Sequence, residues 1–92
     1  MTSREREKLD DKTFRNLTLE FFKEEGRRPT EFFEFMEREY PGETTFDERR
    51  KMLYACERTK MMVRNGVGAG THYRTTPLGE EILERSQGGE NV

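Results

Sequence analysis

The chain has 92 residues, of which 39% are charged and 30% hydrophobic, and its formal net charge is −2. This length leaves room for one hydrophobic core of modest stability, which favours a homodimer, and no apolar run approaches the roughly 20 residues of a membrane span. The charged N-terminus and the lone Cys56 argue against a secretory leader, a disulfide framework and a zinc site, so we expect a cytoplasmic protein without metal, cofactor or small-molecule ligand.

Two helices are predicted in the first half of the chain, and both are rich in phenylalanine. The first spans residues 11–25 and ends at Gly26, and the second begins at Pro29, which suits a first helical turn, and ends at Pro41. Phe22, Phe33 and Phe35 exceed what one narrow face can bury, which would leave aromatic surface for a subunit interface. The predicted buried positions are Phe14, Leu17, Thr18 and Phe21 in the first helix, with Leu19 and Phe22 widening that face, and Phe32, Phe33, Met36 and Tyr40 in the second.

A third helix is predicted over residues 45–60, where either Thr44 or Thr45 can cap the first turn. Its buried side is expected to consist of Phe46, Leu53 and Cys56. At about 100° per residue, the opposite side is exposed, basic and partly aromatic. It carries Asp47, Arg50, Lys51, Tyr54 and Arg58.

Two short segments with strand character follow, over residues 61–65 and 71–75, and the glycine-rich residues 66–70 separate them. This pattern predicts a β-hairpin. Thr76 and Pro77 suit the cap and first turn of a last helix, which buries Leu78, Ile82 and Leu83 and closes near Ser86. We expect residues 1–10 to be flexible or to extend the first helix, residues 11–86 to form the domain, and residues 87–92 to be disordered.

The element order resembles the winged-helix domain, a helix-turn-helix variant of small bacterial, archaeal and viral transcription regulators. The motif that carries the resemblance runs from Tyr73 through Thr76-Pro77 and Gly79 to the last helix. Thr75 departs from the family pattern, which usually has leucine there. The resemblance implies an α+β fold, mainly helical with a small β-hairpin, in which the third helix enters the major groove of DNA and the hairpin forms a wing.

The distribution of charge is consistent with DNA binding. Residues 47–74 contain seven basic and three acidic residues, a net charge of +4, whereas residues 1–46 and 75–92 each have a net charge of −3. Arginine and lysine donate hydrogen bonds to guanine edges and to phosphates, and a wing can place cations beside the backbone. The predicted DNA-contacting residues are Arg50, Lys51, Tyr54 and Arg58 of the third helix, and Arg64, His72 and Arg74 of the hairpin.

These features also have simpler explanations. Charges on an exposed helix serve solubility, and Asp47 and Glu48 would repel phosphate. The hairpin tip lacks the Lys and Ser/Thr of a nucleotide-binding loop. Strand alternation places His72 with Arg74 toward solvent, opposite Tyr73, and a lone exposed histidine is more often incidental than functional. Cys56 is expected in the core.

Two functions from different classes therefore remain. The first is a transcription regulator that binds double-stranded DNA as a homodimer through the third helix, residues 45–60, and the wing, residues 62–75. The alternative is a winged-helix protein–protein interaction module without DNA binding, which the net negative charge and the acidic flanks favour. An enzyme is not expected, because no nucleophile, general base or metal-ligand set occurs at a recognisable spacing.

Overall fold

The computed structural model describes residues 9–88, which form four α-helices and one two-stranded antiparallel sheet. The predicted order of three helices, a hairpin and a last helix is confirmed. The predictions for residues 1–8 and 89–92 lie outside the described residues. None of the four helices combines the length and the apolar character that crossing a membrane requires. The elements are α1 (Asp11–Phe21), α2 (Pro29–Glu39), α3 (Phe46–Arg58), β1 (Met62–Asn65), β2 (His72–Thr75) and α4 (Pro77–Gly88).

α1 ends four residues earlier than predicted, because the chain that follows it pairs with the hairpin. Phe22 is fully buried, and its carbonyl oxygen accepts a hydrogen bond of 2.9 Å from the Thr75 amide. Arg27 then forms an isolated β-bridge with Tyr73, in which the two residues exchange N–H···O bonds of 3.1 and 2.9 Å. β2 therefore lies between β1 and this bridging segment.

An aromatic core joins α1 and α2, as the sequence predicts. The Phe32 ring lies 5.5 Å from the Phe22 ring and 6.3 Å from the Phe14 ring, centroid to centroid. Of the three residues expected in surplus, Phe22 is fully buried, whereas Phe33 and Phe35 are partly buried against the core. The buried apolar residues are Phe14, Leu19, Phe22, Phe32, Met36, Leu53, Cys56, Met62, Tyr73 and Leu83; the predicted Leu17, Phe21 and Tyr40 are only partly buried.

The prediction for the first turn of α3 is wrong, because Phe46 is 57% exposed and Arg49 is buried in its place. The Arg49 guanidinium donates to the Thr44 hydroxyl (2.9 Å), to the Thr44 carbonyl (2.8 Å) and to the Glu37 carboxylate (2.7 Å). Arg49 stands one helical turn before Leu53 and so continues the buried side of α3. This arginine links α2, the connecting loop and α3.

The hairpin leads into α4 through the predicted cap. The Thr76 hydroxyl accepts a hydrogen bond of 3.1 Å from the Gly79 amide. Leu83 is buried, but Leu78 is 44% exposed, so its predicted place on the buried side is wrong. Gly79 is buried and occupies that place, one turn before Leu83, where a Cβ atom would collide with the Met61 carbonyl oxygen. α4 can therefore pack directly on the start of the hairpin.

Candidate nucleic-acid interface

α3 begins at a capping box. The Thr45 hydroxyl accepts a hydrogen bond from the Glu48 amide (3.1 Å), and the Glu48 carboxylate accepts one from the Thr45 amide (2.9 Å). The box sets the start of the helix, and the buried Arg49, Leu53 and Cys56 define the side that faces away from solvent. The predicted exposure of Arg50, Lys51, Tyr54 and Arg58 is confirmed.

Phe46, Arg50 and Tyr54 form an exposed row along α3, which we call the α3 row. The Arg50 guanidinium carbon lies 5.9 Å from the Phe46 ring centroid and 5.7 Å from the Tyr54 ring centroid. Hydrogen bonding to Tyr54 raises the pKa of Arg50 above its ordinary value. The Phe46 ring also packs edge-on against Phe33, with 4.9 Å between centroids. The row is thus a cation held between two rings.

Lys51 and Arg58 differ in their surroundings. Lys51 Nζ lies 3.3 Å from the carboxylate of Asp47, one helical turn earlier. This exposed ion pair offsets the acid that stands beside the α3 row. The Arg58 side chain forms no ion pair or hydrogen bond with any other residue in the described part of the chain. Arg58 therefore keeps its full donor capacity.

A cleft of about 740 Å³ separates the C-terminal half of α3 from β1. Arg58, Lys60 and Arg64 bring three cations to its walls. Glu57 brings one carboxylate, whose oxygen lies 3.4 Å from Arg64 Nε. The cleft joins the exposed face of α3 to the hairpin in one predominantly basic surface.

Lys60 reaches this cleft because α3 ends in a left-handed turn. Its φ is 68°, a conformation that usually favours glycine. The Met61 amide donates to the Cys56 carbonyl (2.9 Å) and the Lys60 amide to the Glu57 carbonyl (3.1 Å), which is the Schellman pattern of a helix end. The sequence pattern does not identify Lys60 as a residue of this surface, since no glycine marks the turn.

The hairpin places its three predicted residues on two different faces. The register sets Arg64 opposite the buried Tyr73, and Val63 opposite Arg74. Cross-strand partners share a face, so Arg64 lies on the α3 side, whereas Arg74 and His72 lie on the other side. The alternation of His72 and Arg74 against Tyr73 is confirmed. Arg64 and Arg74, however, do not act from one face.

His72 is only partly exposed, so its predicted orientation toward open solvent is corrected. A Cβ atom at Gly26 would lie 2.6 Å from His72 Cδ2, which shows how closely the imidazole covers that glycine. His72 Nδ1 lies 3.0 Å from the Gly70 carbonyl oxygen. The ring is held within the hairpin and against the segment before α2.

The glycine-rich tip of the hairpin is a defined turn. Gly66 and Gly68 adopt φ values of 83° and 55°, which side chains rarely tolerate, and Gly68–Gly70 form a short 3₁₀ turn. A Cβ atom at Gly66 would collide with the Gly70 carbonyl oxygen. Val67 is 84% exposed at the tip, so the leading side chain is apolar rather than cationic.

A second cavity, of about 720 Å³, lies between the start of α1 and α3, where Phe14, Met52 and Cys56 contribute to an apolar lining. Cys56 is fully buried, as predicted, and burial raises the pKa of its thiol to about 11. A thiol in this state is a poor nucleophile. Within residues 9–88, no three His, Cys, Asp or Glu side chains are placed to hold a metal ion.

The surface formed by α3 and β1 thus brings together Arg50, Tyr54, Arg58 and Arg64 of the predicted set, and adds Phe46 and Lys60. Lys51 borders it, while His72 and Arg74 lie on another face. Comparison with known protein families, with curated proteins and with solved structures found no match for this chain.

Proposed function

We propose that this chain is a cytoplasmic winged-helix transcription regulator that binds double-stranded DNA as a homodimer and performs no catalysis. The observation that carries the proposal is the exposed surface on which Arg58 of α3 and Arg64 of β1 line one cleft. Tyr54 lines the same cleft, and Arg50, which packs on the Tyr54 ring, extends the surface along α3. Arginine side chains bind both phosphates and guanine edges. In the proposed complex, α3 lies in the major groove and the hairpin lies beside the adjacent backbone.

The element order supports the winged-helix assignment. α2 and α3 take the place of the helix pair, and the hairpin and the Thr76-Pro77 start of α4 follow as in the family motif. Residues 40–45 form a longer connection than the three or four residues of a simple helix-turn-helix, and Arg49 holds it in place. Thr75 is buried and donates 2.7 Å to the Leu19 carbonyl, so a polar residue fits the slot that usually holds leucine.

The acidic residues near this surface should repel DNA phosphates less than the sequence suggests, because two of them are paired with cations. Asp47 is paired with Lys51, and Glu57 with Arg64. These pairs leave the charges of Arg50 and Arg58 uncompensated by any ion pair among the described residues. Positive charge on one face supports binding to a polyanion even when the net charge of the chain is slightly negative.

Fluorescence anisotropy with a labelled duplex tests the proposal. We expect binding at low salt, with log K falling linearly as log salt rises, by about 0.9 per neutralised phosphate. Replacing Arg50 and Lys51 together with glutamine should weaken binding. The double variant Arg38→Gln, Arg85→Gln removes two exposed cations from α2 and α4 and should leave it unchanged. No binding at low salt, or binding indifferent to salt, would contradict the proposal.

The homodimer is tested separately by sedimentation equilibrium. We expect twice the chain mass at the protein concentrations that bind the duplex, because a two-fold symmetric protein places two copies of α3 about one helical turn of DNA apart. A monomer mass at those concentrations, free and on DNA, would contradict the dimer while leaving DNA binding intact.

A protein–protein interaction module is the second candidate, and the free edge of β1 favours it. Tyr73 directs its backbone N–H and C=O to Arg27, and Thr75 directs its N–H to Phe22, so both residues face away from β1. The backbone N–H and C=O of their cross-strand partners Arg64 and Met62 therefore point away from β2 and have no backbone partner within residues 9–88. An extended peptide can pair with such an edge. This function predicts a specific partner in a pull-down, no shift of DNA, and loss of the partner on introducing Val63→Lys.

A further inference from the structure

The α3 row has a composition that suits the recognition of bases as well as phosphates. We infer that Arg50 selects a guanine, and that Phe46 selects the methyl group of a thymine about two base pairs away. This inference rests on the proposed DNA binding and deepens it, since it names the bases and the side chains that read them.

The position of the row in α3 places it at the bases. Phe46 directly follows the Thr45 cap as the first residue of α3, and Arg50 is the fifth residue of the helix. Recognition helices contact base edges with their N-terminal residues. Arg58, in the last turn, is then left to the phosphate backbone together with Arg64. The two ends of the surface thus have separate tasks.

The Arg50 side chain is preorganised for binding to a guanine. Its guanidinium lies within 6 Å of both the Phe46 and the Tyr54 ring centroids, which restricts a side chain that otherwise has many rotamers. A restricted side chain loses less conformational entropy on binding. The planar guanidinium fork can donate simultaneously to O6 and N7 of guanine, which the single ammonium of lysine does less selectively.

Phe46 offers an apolar contact where the major groove has one apolar group. Its ring is 57% exposed but fixed by the edge-on contact with Phe33. The 5-methyl group of thymine is the apolar feature of the major groove, and phenylalanine is among the side chains that contact it. Four residues of helix rise about 6 Å, close to two base-pair steps, which sets the expected distance between the two bases.

Selection of bound duplexes from a random library, using the full chain, provides the first test. We expect enrichment of sites that contain a guanine and a thymine about two base pairs apart. Salt-dependent duplex binding without any enriched sequence would overturn the inference and leave the proposed function standing. Absence of duplex binding at low salt would overturn both.

Base analogues in the selected duplex then assign each contact without changing the protein. Replacing the guanine with 7-deazaguanine removes N7 and should weaken binding on the order of tenfold, and replacing the thymine with uracil removes the methyl group and should weaken it a few-fold. If neither analogue changes the affinity, the inference fails.

Protein variants complete the assignment. Arg50→Ala removes every donor of the side chain and should bind the guanine and 7-deazaguanine duplexes equally, while it still distinguishes thymine from uracil. Phe46→Ala should bind the thymine and uracil duplexes equally, while it still distinguishes guanine from 7-deazaguanine. Arg85→Ala, on α4, is the matched control and should retain both responses. An Arg50→Ala protein that distinguishes 7-deazaguanine as the unaltered chain does would assign the guanine to another residue and overturn the inference.

Discussion

Arg49 shows how a single buried cation fixes the connection between two helices. Replacing it with methionine removes the donors to the Thr44 hydroxyl and carbonyl and leaves both oxygens buried. We expect a loss of about 2–3 kcal/mol in the free energy of unfolding, from the buried hydrogen bonds. The ion pair with Glu37 adds little, because that carboxylate side chain is 62% exposed.

Urea unfolding followed by circular dichroism measures this loss. Arg38→Met is the matched control, since the Arg38 side chain is 67% exposed and, among the described residues, pairs only with the adjacent Glu39. The control should change the free energy of unfolding by no more than about 0.5 kcal/mol. Equal effects of the two variants would show that the Arg49 contacts do not stabilise the fold.

The sequence pattern could not distinguish Phe46 from Arg49 as the buried residue of the first turn of α3. Both lie near the line of Leu53 on the helix, and hydrophobicity alone favours phenylalanine. The choice depends on Thr44 and Glu37, which become neighbours of Arg49 only through the fold. The same limit hid the α3 row, because an exposed Phe46 is visible only once Arg49 is known to be buried.

At the level of elements, boundaries that depend on local sequence signals are predicted well, whereas boundaries that depend on long-range strand pairing are not. The start of α4 follows from Thr76 and Pro77, whose chemistry acts within one helical turn. The end of α1 depends instead on Arg27 pairing with Tyr73, 46 positions later in the sequence. Helix periodicity contains no information about such a partner, so α1 was predicted four residues too long.

The contact between the hairpin and α4 requires a glycine in the first turn of α4. A Cβ atom at Gly79 would meet the Met61 carbonyl oxygen and lie 2.7 Å from Thr75 Cγ2. Alanine in a helix usually improves stability by up to about 1 kcal/mol over glycine. Here we expect Gly79→Ala to lower the free energy of unfolding by about 1–3 kcal/mol, because the added methyl overpacks a backbone contact.

Gly70→Ala is the control for this variant. Gly70 has no positive φ, and a Cβ atom there would meet nothing within 4 Å. Urea unfolding of the two variants side by side should therefore show a large loss for Gly79→Ala and little change for Gly70→Ala. A stabilised Gly79→Ala protein would mean that helix propensity outweighs the contact, and that α4 can move away from the hairpin.

For the molecule as a whole, the sequence predicts which segment carries the basic surface but not which face of the hairpin each basic residue occupies. The segment 47–74, with net charge +4, supplies Arg50, Arg58 and Arg64 to one surface. Which side of the hairpin each residue occupies depends on the register between β1 and β2, and a slip of one residue would reverse every side chain. That register is set by the turn at residues 66–71, whose conformation the glycines allow but do not specify.

The two faces of the hairpin lead to different expectations for Arg64 and Arg74 in the proposed DNA complex. Arg64 borders the α3 cleft, so Arg64→Gln should reduce the slope of log K against log salt by about 0.9, the value for one lost phosphate contact. The loss of affinity should be larger than one contact implies, because the Glu57 carboxylate is left without its partner beside the DNA.

Arg74 lies on the opposite face, so Arg74→Gln, a change of the same charge in the same hairpin, should leave the slope unchanged. Anisotropy titrations at four or more salt concentrations compare the two variants directly. Equal reductions of the slope would show that DNA contacts both faces of the hairpin, and an unchanged slope for both would show that neither arginine contacts a phosphate.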